Sequence, residues 1–161
     1  MNKILQSTIK IRFQDCDPFN HLNNAKYIDY FINAREDQLA EYYDIDVYDN
    51  AFKEGLVWVV ASNQISYLNP ANTMETVIIE SQLIKFSSKK LIVEMRMWDK
   101  NKIQLKSVVW ISFVHFNLNK KKTSSHSSDF IALFEKVVLP VEQTTFEARI
   151  RQLTVKYGRA S

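Results

Sequence analysis

Glycine and cysteine are the two residue types that this sequence of 161 residues nearly lacks. Its glycines, Gly55 and Gly158, lie far apart, whereas a P-loop or a dinucleotide-binding loop needs several clustered glycines. The single cysteine, Cys16, excludes an internal disulfide and favours a reducing compartment, so we expect a cytoplasmic protein. No group of Cys and His residues has zinc-ligand spacing, and we expect no metal and no cofactor.

Long hydrophobic runs and a strong charge of either sign are missing as well. The most apolar stretches, Val57–Ala61 and Val108–Phe116, are too short to cross a bilayer, and we expect no membrane span. A net charge of +3 fits an anionic small ligand without requiring one, and it is too small for a nucleic-acid partner. The 46% hydrophobic content and the length predict one globular domain with a single core.

The pattern of apolar residues predicts one strand, one long helix and four further strands. Apolar and polar residues alternate in the first segment and in most of the later ones, and turn residues separate the segments. The predicted strands are Thr8–Phe13, Leu56–Leu68, Thr76–Phe86, Leu91–Trp98 and Ile103–Phe116. Because the last four follow one another with short turns, we expect an antiparallel meander that covers the helix on one face.

The helix is predicted over Asn24–Tyr43, with apolar residues on most of its sides and a polar C-terminal half that should reach solvent. Beyond the strands, Asn117–Ser128 is polar and carries Lys120–Lys122, which we interpret as a solvated loop. Asp129–Val138 is typical of a short helix, and Gln143–Tyr157 fits a helix or a strand. These features predict an α+β protein.

Polar residues are most concentrated between the first strand and the helix, over Asp15–Asn24. Free N–H groups at a helix N-terminus stabilise an anion, and a nearby carboxylate can act as a nucleophile or as a general base on water. The cluster therefore has the parts of a hydrolytic site without metal. Asp and Asn ahead of a helix are also common caps, so a purely structural role fits the same residues.

Two motifs resemble those of the hot-dog thioesterases. In residues 12–27, the pair Asp15 and Asp17 is followed by His21-Leu22-Asn23-Asn24 ahead of Tyr27, and Ile65–Ala71 ends in Tyr-Leu-Asn-Pro-Ala. The first motif resembles the 4-hydroxybenzoyl-CoA thioesterase type and is also similar to acyl-carrier-protein thioesterases. The resemblance implies a hot-dog fold, in which an antiparallel sheet of about five strands wraps round a long central helix. It implies one domain over residues 1–161, with its core at about 5–117, a polar loop at 118–128 and a C-terminal extension at 129–161.

The resemblance also implies the activity, which is hydrolysis of acyl-CoA to the free acid and CoA with a carboxylate as nucleophile or general base. The implied catalytic residues are Asp17, His21 and Asn24, and the implied substrate-binding residues are Asn20, Asn23, Tyr27, Lys85, Ser88, Lys89 and Lys90. The implied assembly is a homodimer or homotetramer with its active site at the subunit interface.

Several alternatives stay open. Glu36 and Asp37 on the helix are rival carboxylates, and Asn20 and Met74 stand where many relatives have glycine. A non-hydrolytic acyl-thioester binder and an acyl-carrier-protein thioesterase both fit the motifs. A hot-dog dehydratase fits less well, because it usually needs a histidine inside the helix. We assign no chemistry to Cys16, His115 or His126.

Overall fold

The computed structural model describes residues 1–157, in which a curled antiparallel sheet wraps round a long helix. The predicted extension at 129–161 ends with four residues that lie outside the described part. The strands are β1 (Ile4–Lys10), β2 (Leu56–Tyr67), β3 (Thr76–Phe86), β4 (Lys90–Asp99), β5 (Leu105–Asn117) and β6 (Lys122–Thr123). The helices are α1 (Tyr27–Tyr43), α2 (Val47–Glu54), α3 (Ser128–Val137) and α4 (Phe146–Tyr157).

Helix α1 is the central helix, and a 3₁₀ turn over Asn24–Lys26 leads into it, which confirms the predicted range. Its buried side chains recur at helical spacing and pack against the sheet: Tyr27, Tyr30, Phe31, Ala34, Arg35 and Gln38. The prediction that its polar C-terminal half reaches solvent is wrong for Arg35 and Gln38. Both are buried because strand β3 offers them partners, Ser81 Oγ for Arg35 at 2.9 Å and Ile79 O for Gln38 at 3.0 Å.

The strand order is β1-β3-β4-β5-β2, so the predicted meander of four strands is wrong. Of the four strands in the predicted meander, only β3, β4 and β5 pair in sequence order, because β1 pairs along the other edge of β3. Strand β2 therefore pairs with β5, from Leu56 opposite Asn117 to Tyr67 opposite Ser107. Its other edge has no partner strand within residues 1–157.

The two faces of the sheet are covered by different helices. Helices α1 and α3 pack on the inner face, where Phe31, Met95 and Ile111 are fully buried. Helix α4 packs on the outer face against Trp98 and Trp110, which settles the ambiguous Gln143–Tyr157 segment as mostly helical. Its Arg149 binds both carboxylate oxygens of the buried Glu94 at 2.7 and 2.8 Å.

The structure differs most from the predicted elements at three places, and the other bounds agree within three residues. The first strand lies at Ile4–Lys10 rather than Thr8–Phe13, because Phe13–Asp15 form a 3₁₀ turn. Helix α2 is missing from the prediction, although Asp46 caps it through two backbone N–H groups. The short β6 lies inside the predicted polar loop.

Candidate active site

The loop between β1 and α1 is folded around the side chain of Asp17. Asp17 Oδ1 accepts hydrogen bonds from the backbone N–H groups of Phe19 at 2.9 Å and His21 at 3.2 Å. The backbone closes the same turn, because Asp17 N donates to His21 O at 2.8 Å. Asp17 is partly exposed, and its Oδ2 has no hydrogen bond within residues 1–157. One oxygen therefore fixes the carboxylate and the other is available.

Asp15, the first member of the motif pair, supports the loop. Its Oδ2 accepts the hydroxyl of Tyr30 at 2.7 Å, and the Tyr30 oxygen accepts Arg12 N–H at 2.9 Å. The pKa of Tyr30 is raised to about 12, mainly by burial, so its hydroxyl keeps its proton at neutral pH. Asp15 is thus hydrogen-bonded to helix α1 and has a structural role.

The start of the helix is capped by the motif itself. Asn23 Oδ1 accepts Ala25 N–H at 3.0 Å, which satisfies one of the free donors of the helix terminus. Asn24, the next residue, is exposed, and its side chain has no hydrogen bond to the described residues. The imidazole of His21 is partly exposed and likewise unbonded in that part of the chain. Asp17, His21 and Asn24 lie within one short loop at the helix N-terminus.

The second motif packs directly against the first. Tyr27 Oη accepts Ala71 N–H at 3.2 Å, and Tyr67 donates its hydroxyl to Asn24 O at 3.1 Å. The rings of Tyr27 and Tyr67 meet edge to face with their centroids 5.0 Å apart. Tyr27 is 2% exposed, so within the described chain it joins the motifs rather than presenting a surface to a ligand.

Two residues of the motif loops, Asn20 and Met74, are among the five non-glycine residues within residues 1–157 whose backbone angles favour glycine. Asn20 has φ 62° and Met74 also has φ 62°, and both stand where the resemblance predicts glycine. Asn20 O accepts Thr73 N–H at 2.9 Å, and Met74 N donates to Ile11 O at 3.0 Å. These hydrogen bonds hold the two motif loops together, so the turns form without glycine.

The predicted lysine hairpin lies far from Asp17. The loop of Asp17 contacts the start of β3, because Ile11 N donates to Glu75 O at 2.8 Å, whereas Lys89 and Lys90 follow the end of β3. A strand of eleven residues spans roughly 33 Å at about 3.3 Å per residue. The structure therefore does not bring the hairpin residues Lys85, Ser88, Lys89 and Lys90 to the Asp17 loop of the same chain.

An apolar cavity of about 310 Å³ lies between α1, α2 and the inner face of the sheet. Its walls include Ile32, Leu39, Val57, Trp58, Phe113 and Phe134. Of the two rival carboxylates, Glu36 lines this cavity and accepts the Tyr48 hydroxyl at 2.9 Å, while Asp37 is exposed. Like the hairpin, the cavity lies toward the end of β2 at which Leu56 stands.

Sequence reasoning missed a buried histidine pair beside this cavity. His115 is 2% exposed and His126 is 8% exposed, and their rings stack with centroids 4.7 Å apart. His126 Nε2 accepts the indole N–H of Trp58 at 3.1 Å. The polar composition around His126 concealed its burial, since its partners lie far away along the chain. Among the described residues there is no metal-binding group of three or more His, Cys, Asp or Glu side chains.

Comparisons with known proteins agree with this geometry. The profile of the Thioesterase-like superfamily matches residues 11–134. The chain belongs to this superfamily. The long-chain acyl-CoA thioesterase FadM of Escherichia coli is 26% identical over 134 residues, which are 83% of this chain and 99% of FadM.

Solved structures share the hot-dog fold. YbaW, a probable thioesterase from Escherichia coli, superimposes with a TM-score of 0.71 at 26% identity, over 84% of this chain and 99% of that chain. The hypothetical protein SAV2348 from Staphylococcus aureus, solved in complex with CoA, has a TM-score of 0.76 at 14% identity, over 89% of this chain and 91% of that one. The predicted hot-dog fold is therefore confirmed. No helix within residues 1–157 is long and apolar enough to span a membrane.

Proposed function

We infer that this protein is an acyl-CoA thioesterase, which uses water to release a free acid and CoA. The observation that carries this inference is the state of Asp17, with one oxygen held by two backbone N–H groups and the other unbonded within the described chain. The unbonded oxygen either attacks the thioester carbonyl or takes a proton from the water that attacks it. In the first case CoA leaves as the thiolate, and water then hydrolyses the mixed anhydride between Asp17 and the acyl group. In the second case water adds directly to the carbonyl, and the tetrahedral intermediate expels the thiolate. In both cases the CoA thiolate takes up a proton and leaves as the thiol, and the free acid is released.

The start of the central helix supplies the complementary charge. Among the backbone N–H groups of residues 23–26, only that of Asn24 has no partner within residues 1–157. It lies at the positive end of the helix, where it can stabilise the oxygen that becomes negative as the carbonyl is attacked. His21 and Asn24 contribute polar side chains that face the same loop, and Asn20 and Asn23 shape it. We propose a site of the 4-hydroxybenzoyl-CoA thioesterase type, in which the carboxylate lies ahead of the helix rather than on it, and the position of Asp17 before α1 supports this proposal.

We further propose that the working unit is a homodimer, or a homotetramer built from such dimers. The free edge of β2 is exposed over Val59–Gln64, and an unpaired edge strand is a template for pairing with another chain. When two copies of β2 pair antiparallel, the Tyr67 end of one meets the Leu56 end of the other. Tyr67 bonds the start of the central helix, so the Asp17 loop of one subunit comes close to the partner's cavity and hairpin.

In this assembly the Asp17 loop, the apolar cavity and the hairpin would form one site, whereas Tyr27 keeps its buried structural role. The apolar cavity of one subunit takes the acyl chain while Asp17 of the other reaches the thioester. Lys85, Ser88, Lys89 and Lys90 then lie near the phosphates of the CoA that Asp17 hydrolyses. The roughly 33 Å between the ends of β3 supports a site shared by two subunits, because one chain alone separates its parts. The single cysteine supports our proposal of a cytoplasmic location.

Thiol release from short, long and aromatic acyl-CoAs, together with matched acyl-carrier-protein substrates, tests the activity. We expect hydrolysis of acyl-CoA, and the preferred chain identifies the substrate. A carrier-protein preference would move the protein to the alternative thioesterase class. Retention of acyl-CoA without release of thiol would instead make it a binding protein.

The substitution Ser62→Lys tests the shared site. Ser62 lies at the exposed middle of β2, and a lysine there meets its own symmetry mate across the proposed pair of edges. By light scattering, we expect the wild type at about twice 18.9 kDa or four times that mass, and the variant at 18.9 kDa. Activity should fall with the loss of the dimer, while Ser62→Thr should keep both. A monomeric wild type with full activity would contradict the shared site.

A further inference from the structure

The hairpin between β3 and β4 carries exposed lysines that have no acidic partner among residues 1–157. Lys85, Lys89 and Lys90 are exposed, and none forms an ion pair with any described residue. Ser87 Oγ accepts the backbone N–H groups of Lys89 at 3.4 Å and Lys90 at 3.1 Å, which fixes the turn. The lysine side chains are therefore held on an ordered turn and remain available to an anion.

Strand β6 brings a second group of lysines to the same side of β5. Phe116 and Asn117 at the end of β5 pair with β2 along one edge and with β6 along the other. Strand β4 pairs along the same edge as β6, and its last pair along β5 is Lys90 opposite Val114. Lys90 and Lys122 thus follow one another along β5, with about 10 Å between the positions they pair with. Lys120, Lys121 and Lys122 are exposed and also lack an ion pair in the described chain.

His126 holds these two groups together. Its backbone N–H donates to Ser88 O at 2.8 Å, and its ring Nδ1 lies 3.1 Å from Ser87 O, a carbonyl that can only accept. Because Nδ1 must then carry the proton, Nε2 is the acceptor for the Trp58 indole. His115, which stacks on His126, donates its backbone N–H to Lys89 O at 2.8 Å. The segment that follows β6 is thereby bonded to the carbonyls of the hairpin.

We propose that Lys120–Lys122 extend the hairpin lysines, already proposed to lie near the CoA phosphates, into one phosphate-binding surface, and that His126 is the positioning residue that keeps the hairpin in place. We call this set of residues the lysine surface: Lys85, Lys89, Lys90, Lys120, Lys121 and Lys122. The proposal rests on the function inferred above for its ligand, and it gives the predicted solvated loop a role. Each ammonium acts as a point charge toward phosphate, so the surface binds tightly only if its two parts are ordered before the ligand arrives.

Calorimetric titration with CoA and with pantetheine, which has the same thiol arm without the nucleotide phosphates, tests the surface. The triple substitution Lys120→Ala, Lys121→Ala and Lys122→Ala should weaken CoA binding about tenfold and leave pantetheine binding unchanged. The matched control is Lys100→Ala, an exposed lysine in the turn between β4 and β5, which should leave both affinities unchanged. The loss should shrink at high salt, because the contacts are exposed.

The variant His126→Phe tests the positioning role, since it keeps an aromatic ring and loses both ring hydrogen bonds. We expect the ratio of CoA to pantetheine affinity to fall about tenfold, and His126→Asn to restore part of it because its side-chain amide can donate to Ser87 O. Phe130→Leu perturbs the same aromatic cluster without touching the hairpin and should keep the ratio.

Binding and hydrolysis give separate outcomes. Equal CoA affinity in the wild type and the triple lysine variant, or a wild type that binds CoA no better than pantetheine, would overturn the lysine surface. An unchanged affinity ratio in a folded His126→Phe variant would overturn the positioning role. If CoA binds as expected but thiol release is absent, the lysine surface stands and the thioesterase assignment fails.

Discussion

The substitution pair Asp17→Asn and Asp17→Ala separates the chemical role of this carboxylate from its structural one. Asp17 Oδ1 accepts two backbone hydrogen bonds that shape the loop, whereas Oδ2 is unbonded in the described chain. Asparagine at this position keeps a carbonyl oxygen for both backbone donors but removes the negative charge. Alanine removes the charge and the acceptor together.

The structure sets different magnitudes for the two variants. Asp17→Asn should change the free energy of unfolding by less than about 0.5 kcal/mol, because the loop hydrogen bonds remain. Asp17→Ala should cost about 1–2 kcal/mol, since each lost hydrogen bond contributes about 1 kcal/mol. Both should lower kcat/KM for acyl-CoA at least about 100-fold, which corresponds to roughly 2.7 kcal/mol of barrier.

Thiol release measures the activity, and thermal unfolding of the same samples measures the stability. The reasoning would be refuted if Asp17→Asn hydrolysed acyl-CoA at the wild-type rate while Asp17→Ala lost both stability and activity. That result would make Asp17 a loop-forming residue only. Glu36, which lines the cavity, would then become the carboxylate to substitute next.

Three further predictions concern residues that support the site. Burial, and secondarily His115, lowers the pKa of His126 below 6.5, so the neutral ring stabilises the fold above pH 6.5 and this stability is lost as the pH falls through the folded-state pKa. Melting temperatures measured from pH 5 to 8 should therefore fall toward low pH, and His126→Asn should weaken this dependence on pH. Tyr30→Phe removes the hydroxyl between Asp15 and Arg12 N, and denaturant unfolding should show a loss of about 1–3 kcal/mol; an unchanged stability would contradict that role. Met74→Gly relieves a φ of 62° and should raise the free energy of unfolding by up to about 1 kcal/mol, measured as a higher melting temperature, whereas Met74→Ala should give no gain.

The local features of the fold follow from patterns of neighbouring residues. The apolar pattern over Thr76–Phe86 and the turn residues that follow it predict the bounds of β3 as the structure has them, although the strand is buried on both faces rather than on one. The long helix was predicted because its apolar residues recur at the three- to four-residue spacing of a helix face. Helix α2 was missed since it is short and has no fully buried residue, although the Asp46 cap was a signal that could have found it.

The parts of the site that adjoin in sequence were equally predictable. Asp17, His21 and Asn24 belong to one short motif that resembles that of a known family. The hydrogen bonds between Asp17 and His21 close the turn that keeps them together. The hairpin was also predicted as a turn. The distance of the hairpin from Asp17 could not be predicted, because it depends on the direction of β3, which decides the end of the sheet that each loop occupies.

Pairing and burial are decided by residues that are remote along the chain. No local pattern shows that β2 lies beside β5 rather than β3, since that depends on β1 filling the other edge of the sheet. His126 lies in a polar segment, and it is buried only because the hairpin, Trp58 and His115 surround it. The sequence by itself therefore determined most of the elements, the central helix among them, and the motif that carries Asp17. The tertiary structure decided the order of the strands, the free edge of β2 and the joining of the two lysine groups, because each depends on contacts between segments far apart in the chain.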